Sequence, residues 1–330
     1  MRALLWIVLI VAALWSGYWF VGARATEGAV TQWFASQDGQ GLIAEQSGID
    51  VAGFPNRFDL TVTEPRLTDA ATGIGWAAPF AQVFTMTWKP WHLIAALPQE
   101  QTVTLPDQTL SVTSSVMQGS LVLVPGTDLA LDRISTVGDG VSIRSTAGWE
   151  VSATSIRLAT RRAPDAALAH EIGLEVATLN PDAAFRMALA PLSDLPEQIE
   201  RIRLDAVAAL TAPLDRHAAR TQPRLAALTV KEGLLVWGDL TVSGKGDIAP
   251  GPDGRAEGRI DIRIENWRQL VPVLVAAGLV TPEVGQTVSR AMELMAQQDG
   301  TPDILDVPLS FQQGRMSLGP IPLGPAPLLR

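Results

Sequence analysis

Apolar and polar positions along this chain fall into three regimes. The first is an unbroken apolar run, Ala3 to Ala23 (ALLWIVLIVAALWSGYWFVGA), without a charged residue. The second, from about residue 42 onward, alternates apolar and polar positions, the period of half-buried strands. The third, after Asn266, repeats at three and four residues, the period of helices. The pattern therefore predicts a mainly β protein: an N-terminal transmembrane helix, then a long, curved, largely antiparallel sheet with two C-terminal helices.

The apolar run, as a helix rising about 1.5 Å per residue, spans roughly 31 Å, close to a hydrocarbon core about 30 Å thick. Leu4, Trp6, Ile7 and Leu9 supply its apolar surface. Trp15, Tyr18, Trp19 and Phe20 crowd its far end, where amphipathic aromatics would float at the headgroups. Arg2 and the α-amine, set against Arg24 and Glu27, predict that the N-terminus lies inside and the body outside. A cleaved signal peptide is the competing reading, because Ala23-Arg24-Ala25 has the small-x-small form of a cleavage site. The run exceeds the roughly 7–15 residues of a signal h-region, which favours a retained anchor over residues 1–25. The remaining body, 26–330, has a possible sub-boundary near 190–225.

A short helical stalk, Thr26 to Ser36, is predicted to end at the turn Asp38-Gly39. Phe58, Leu60 and Val62 then alternate with Asp59, Thr61 and Thr63, and Gly53-Phe54-Pro55-Asn56-Arg57 breaks this strand from the one before. Further strands are expected at Gln82–Trp88, Thr109–Thr113, Ser120–Val124, Leu129–Ile134, Val141–Arg144 and Glu150–Thr160. Pro125-Gly126 and Asp139-Gly140 are the clearest turns between them. Without helical patterns between them, these strands imply an antiparallel meander. The segment PEQIERIRLDAVAAL suits a strand better than a helix.

Leu234, Val236, Leu240, Val242 and Ile248 are expected on one face of a hairpin, continued by Ile260, Ile262 and Ile264 after the turn PGPDG. Asn266 is expected to cap a helix that Pro272 kinks and Gly278 ends. A second helix starts at Thr281-Pro282 and aligns Val284, Val288, Ala291, Met292 and Met295. The pair would cover part of the apolar face. The tail GPIPLGPAPLL excludes helix and favours an extended edge or polyproline segment.

The net charge of −9 argues against a nucleic-acid partner. The absence of cysteine removes disulfides, thiolate metal sites and Cys nucleophiles from consideration. His92, His170 and His217 stand far apart and match no ligand spacing. No G-x-S-x-G elbow occurs, and Gly244-Lys245-Gly246 lies inside a strand pattern rather than at a helix start. Asp303 with Asp306 reads as turn chemistry, and Trp88-Lys89-Pro90-Trp91 as packing beside a turn. GFPNR reads as a sharp bend whose Arg57 pairs with a nearby acid, and PLDR (Pro213 to Arg216) reads the same way. No cofactor is expected.

GFPNR, PLDR, LLVWGDLTVSGKGDIAPGPDGRAEGRIDIRIENWRQLV and the closing GRMSLGPIPLGPAP resemble a bacterial family of unknown function, number 2125, over nearly the whole chain. A looser resemblance, carried by element order alone, is to AsmA-type proteins. The resemblance implies a single-pass protein of the bacterial inner membrane with its body in the periplasm, and brings no catalytic residue.

The sheet's dry face either stays open as a groove or is buried against itself as the sheet curls. An open groove predicts a non-enzymatic envelope protein binding phospholipid or another apolar ligand there. The alternative is an envelope scaffold that docks another protein by a strand edge or its Pro-rich tail. An enzyme ranks last, for want of a nucleophile, metal or acid–base pair.

Overall fold

The computed structural model describes residues 1–37, 41–298, 301–319 and 321–329. The chain forms two compact units, residues 1–125 with 136–148, and residues 126–135 with 149–330. The division thus falls near residues 125–149. Across 190–225, where the sequence suggested a boundary, consecutive strands stay paired.

The first unit begins with α1 (Arg2–Ser36), one 35-residue helix that joins anchor and stalk without a break. The expected Asp38-Gly39 turn lies outside the described residues. Ten short strands follow: β1 (Leu42–Glu45), β2 (Gly48–Ala52), β3 (Arg57–Thr63), β4 (Arg66–Asp69), β5 (Gly75–Ala77), β6 (Phe80–Met86), β7 (Lys89–Ala96), β8 (Glu100–Thr104), β9 (Thr109–Thr113) and β10 (Val116–Leu123). They are the halves of five long strands. β1 and β2 pair with β4 and β3, which pair with β5 and β6, then β8 and β7, then β9 and β10, all antiparallel.

The breaks between halves fall at one level, because Pro65, Pro79 and Pro98 sit there and proline has no N–H to give the ladder. Glu64 N donates to Pro79 O, Ala78 N to Pro65 O and Ser114 N to Gln99 O, so pairing resumes across the crease. β11 (Leu131–Ser145) merges two of the expected strands. Asp139-Gly140 is therefore a bulge inside it, not a turn: Gly140 takes φ +57, and the Asp139 carbonyl accepts from Ser115 N and Oγ.

In the second unit β12 (Glu150–Arg162), β13 (Ala169–Asn180), β14 (Ile199–Leu210), β15 (Leu225–Trp237), β16 (Leu240–Pro250), β17 (Ala256–Glu265), β18 (Ile304–Gln312), β19 (Arg315–Leu318) and β20 (Ile321–Pro325) pair in chain order, each antiparallel to the next. The ambiguous segment at 199–210 is thus a strand. Helix α2 (Ala183–Leu189) enters after β13 and α3 (Ala218–Thr221) after β14. A 3-10 turn (Trp267–Gln269), α4 (Leu270–Ala276) and α5 (Pro282–Gln298) fill the crossing from β17 to β18.

Asn266 does not cap this helix with its side chain. It takes φ +54, and its amide donates to the Asp239 carbonyl at 2.8 Å. Pro272 causes no interior break, since it lies in the first turn of α4, where N–H groups have no intrahelical acceptor. Gly278, at φ +69, ends α4 as expected: its N–H reaches Val275 O and that of Leu279 reaches Leu274 O. On α5 the buried side is Gly285, Val288, Met292, Met295 and Ala296, while Val284 is exposed.

The hairpin of β15 and β16 corrects one expectation. Trp237 pairs with Leu240 across the two residues Gly238-Asp239, so odd positions before the turn share a face with even positions after it. Leu235 and Trp237 therefore lie with Leu240, Val242, Ile262 and Ile264, whereas Leu234 and Val236 lie on the opposite face beside Arg201, Arg203 and Ser243.

Candidate functional site

On the helix-bearing face of the second unit, Leu240 and Ile264 (each 1 % exposed), Trp267, Val271, Met292 and Leu305 form a closed core, with Val242 and Ile262 packed against it. Ile260 belongs to a neighbouring cluster with Ile248, Ala256 and Phe311. This stretch of dry face is buried within the fold. Beside it a cleft of about 320 Å³ stays open between the sheet and helices α2 and α4. Val151, Leu179, Ile199, Leu235 and Val242 line it from the sheet, and Phe185, Leu270 and Val273 from the helices.

Two local devices hold the cleft. Asp182 caps α2: one carboxylate oxygen accepts from Ala184 N at 2.9 Å, the other from Glu150 N at 3.0 Å. These backbone donors, Glu150 N foremost, lower its pKa below the ordinary carboxylate value. Trp237, at the cleft's floor, donates its indole N–H to Pro196 O at 2.7 Å, and its ring lies 6.1 Å from that of Phe185. Asp182 is the single ionisable lining residue, and its oxygens are engaged by Ala184 N and Glu150 N. Such a wall offers apolar contact and no acid–base or nucleophilic chemistry. The sequence signal for α2 was Pro181-Asp182 ahead of Phe185 and Leu189, a cap followed by an i,i+4 apolar pair.

The opposite face carries a larger hollow, about 750 Å³, lined by Lys231, Lys245, Arg259 and Arg263 against Glu232, Asp261 and Asp306. Its charges pair with one another: Arg263 with Asp306 on the neighbouring strand at 2.8 Å, and Arg259 with Asp261 along β17 at 2.6 Å. Nearby, Glu171 accepts from Arg161 and Lys231, which lower its pKa. Cations and anions in nearly equal number make this a cross-strand ladder rather than a charged ligand site.

In the first unit Leu4, Trp6, Ile7 and Leu9 are exposed along α1. The aromatics further along are not all free to float at an interface. Trp19 is 6 % exposed, stacks on Phe58 and donates its indole N–H to Arg57 O at 2.6 Å. Trp15 donates to Pro55 O at 3.0 Å and Tyr18 to Thr87 O at 2.9 Å, while Phe20 stacks on Phe54. GFPNR thus does more than bend: Asn56 N and Arg57 N close the turn on Gly53 O, Arg57 pairs with Asp59 at 2.6 Å, and its carbonyls receive α1. PLDR secures a loop, with Leu131 N donating to Leu214 O and Arg216 to Thr127 O.

His92 bonds Ser120 Oγ at 3.0 Å, His217 lies 3.9 Å from Asp128, and His170 is buried. Among the described residues no three His, Asp or Glu side chains converge as metal ligands. The Pro-rich tail is tied into the fold: Ala326 is 1 % exposed, and Arg255 donates to its carbonyl at 2.7 Å.

No curated protein and no solved structure matches the chain significantly. One family profile does, over residues 19–327, that of an uncharacterized protein conserved in bacteria (DUF2125). With an apolar N-terminal helix, a large antiparallel sheet and a match over nearly its whole length, the chain belongs to that bacterial family.

Proposed function

We propose that this is a non-enzymatic, single-pass envelope protein, anchored in the inner membrane by α1 with its body in the periplasm, that holds an acyl chain in the apolar cleft. The observation that carries this reading is the cleft itself: about 320 Å³ of space walled by Leu, Val, Ile and Phe, with its one carboxylate engaged by Ala184 N and Glu150 N. That volume stands at the low end of the roughly 300–1,000 Å³ of small-molecule sites, enough for part of a lipid rather than all of it. Binding is partition, at roughly 25 cal/mol per Å² of apolar surface buried. Retention of the anchor is supported by Trp19, Gly22 and Ala23, which pack against the sheet, and by the family match, which begins at residue 19. Cleavage after Ala25 would remove all three.

The test uses the full chain in liposomes containing a phospholipid with a photoreactive diazirine on its acyl chain. Crosslinks are expected at Phe185, Leu235 and Val273. Val151→Trp, which adds apolar bulk to the cleft's wall, should suppress them, while Val236→Asp on the opposite face should leave them unchanged. Crosslinks that are absent from the cleft, or indifferent to Val151→Trp, would overturn the reading.

A further inference from the structure

The free part of α1 is too short to cross a bilayer. Residues 2–14 are all exposed, whereas from Trp15 onward the helix bonds to the sheet and Ser16, Trp19, Ala23, Thr26, Val30 and Phe34 turn toward it. At about 1.5 Å per residue the free segment rises roughly 20 Å, against a hydrocarbon core of about 30 Å. Tilting would only shorten its reach. Arg2 closes the uncharged run at its other end, so the missing length comes from the docked, uncharged stretch before Arg24, and a docked helix carries its partners to the same depth.

Those partners are two turns at one end of the first unit's strands, 53–56 between β2 and β3, and 87–88 between β6 and β7. Trp15 and Tyr18 bond to the first and second turn respectively, and Thr87 N bonds Asn56 O at 3.1 Å. The turns suit that depth. Phe54 is 52 % exposed and Trp88 55 %, and several backbone polar groups of the turns are engaged: Gly53 O accepts from Asn56 N and Arg57 N, Pro55 O from Trp15, and Thr87 O from Tyr18. Groups near hydrocarbon require such satisfaction. One step back, Lys89 and Arg57, the latter paired with Asp59, flank Met86 in register across β3, β6 and β7, at the level where Lys89 would meet lipid phosphates.

We propose, resting on the anchor reading above, that these two turns insert into the bilayer leaflet on the body's side, next to α1. The protein is then held by a helix and an apolar strand-turn edge together, and the sheet stands with its β2–β3 end in the membrane.

Because the chain has no cysteine, single-cysteine variants report depth cleanly. Phe54→Cys, Trp88→Cys, Leu9→Cys and Thr72→Cys (in the β4–β5 turn at the other end of the strands) are labelled with bimane. Each full-length variant is placed in phosphatidylcholine–phosphatidylglycerol liposomes. Quenching by acyl-chain spin-labelled lipid is compared with quenching by aqueous iodide. The expected result is lipid quenching at 54, 88 and 9 and iodide quenching at 72. If 54 and 88 behave like 72 while 9 is quenched by lipid, the bilayer thins around the short free segment and the proposal fails alone. If 9 also answers to iodide, the anchor reading fails and takes the proposal with it.

Discussion

Trp19→Ala should release α1 from the sheet. The indole is 6 % exposed, rests between Phe54, Phe58 and Phe20, and donates to Arg57 O. Removing about 150–250 Å² of aromatic surface at roughly 25 cal/mol per Å² costs about 4–6 kcal/mol as an upper limit. Measured Trp-to-Ala losses of about 3–5 kcal/mol, which include partial collapse of the site, are the better guide. At a factor of ten per 1.4 kcal/mol, the undocked fraction rises about 150- to 3,500-fold. If the freed indole moves into lipid rather than water, only packing and the hydrogen bond are lost, about 1–2 kcal/mol or a factor of ten or so. The assay is maleimide labelling of Ala23→Cys, a site 7 % exposed, with and without the Trp19 substitution. Trp19→Phe, which keeps ring packing and loses the hydrogen bond, should raise labelling about fivefold. Unchanged labelling in Trp19→Ala would show that the indole does not hold the helix.

Three further outcomes follow from the second unit. Gly246→Ala should cost at least about 3 kcal/mol, read as a lowered thermal midpoint, because Gly246 sits at φ +156 and a Cβ there would overlap the Arg259 carbonyl of β17. Leu235→Asp should destabilise strongly while Val236→Asp is nearly neutral, since the turn places them on opposite faces; equal effects would refute the register. His170, 6 % exposed, has its pKa lowered from 6.5 by burial and then by Arg162. A histidine with a depressed folded pKa contributes stability that is complete above about 6.5 and is lost as pH falls through the folded value, because the unfolded chain binds the proton more readily. Chemical denaturation between pH 7.5 and 5 should show that loss, and His170→Gln should flatten it.

Much of the fold was legible where one face is dry and the other wet. Arg259 to Glu265 alternates charge with isoleucine, and register puts Ile260, Ile262 and Ile264 on one side, as alternation requires. Legibility failed at the turns, where a single residue changes the outcome. Asp139-Gly140 has the residues of a hairpin turn, yet a positive-φ glycine also serves a bulge, and only the partner strand distinguishes them. Leu234 and Leu240 have the same parity in sequence, and only the two-residue loop between their strands separates them onto opposite faces. The cleft was hidden for a different reason. It needs α2, whose seven residues are too few for a periodic signal, and it lies between strands and helices that are distant in sequence.

Helix α1 shows why an all-apolar segment conceals its own role. Ser16, Trp19, Ala23, Thr26, Val30 and Phe34 recur at three and four residues, the spacing of a helix face packed along an edge strand. Up to Ala23, though, the other faces are apolar too, so no contrast marks the docked side, and a search by hydropathy returns only a span. The distinguishing residue is Gly22: a Cβ there would come within 2.5 Å of the Phe58 ring. A small residue at that position is needed for close approach to another element, which a helix surrounded only by lipid does not require. Gly22→Leu should therefore keep the hydropathy of a span while forcing α1 off β3, so that Ala23→Cys in the Gly22→Leu background labels as fast as in the Trp19→Ala background. If labelling stays slow with leucine at 22, the helix does not approach the sheet at Phe58, and the depth assigned to the two turns loses its basis.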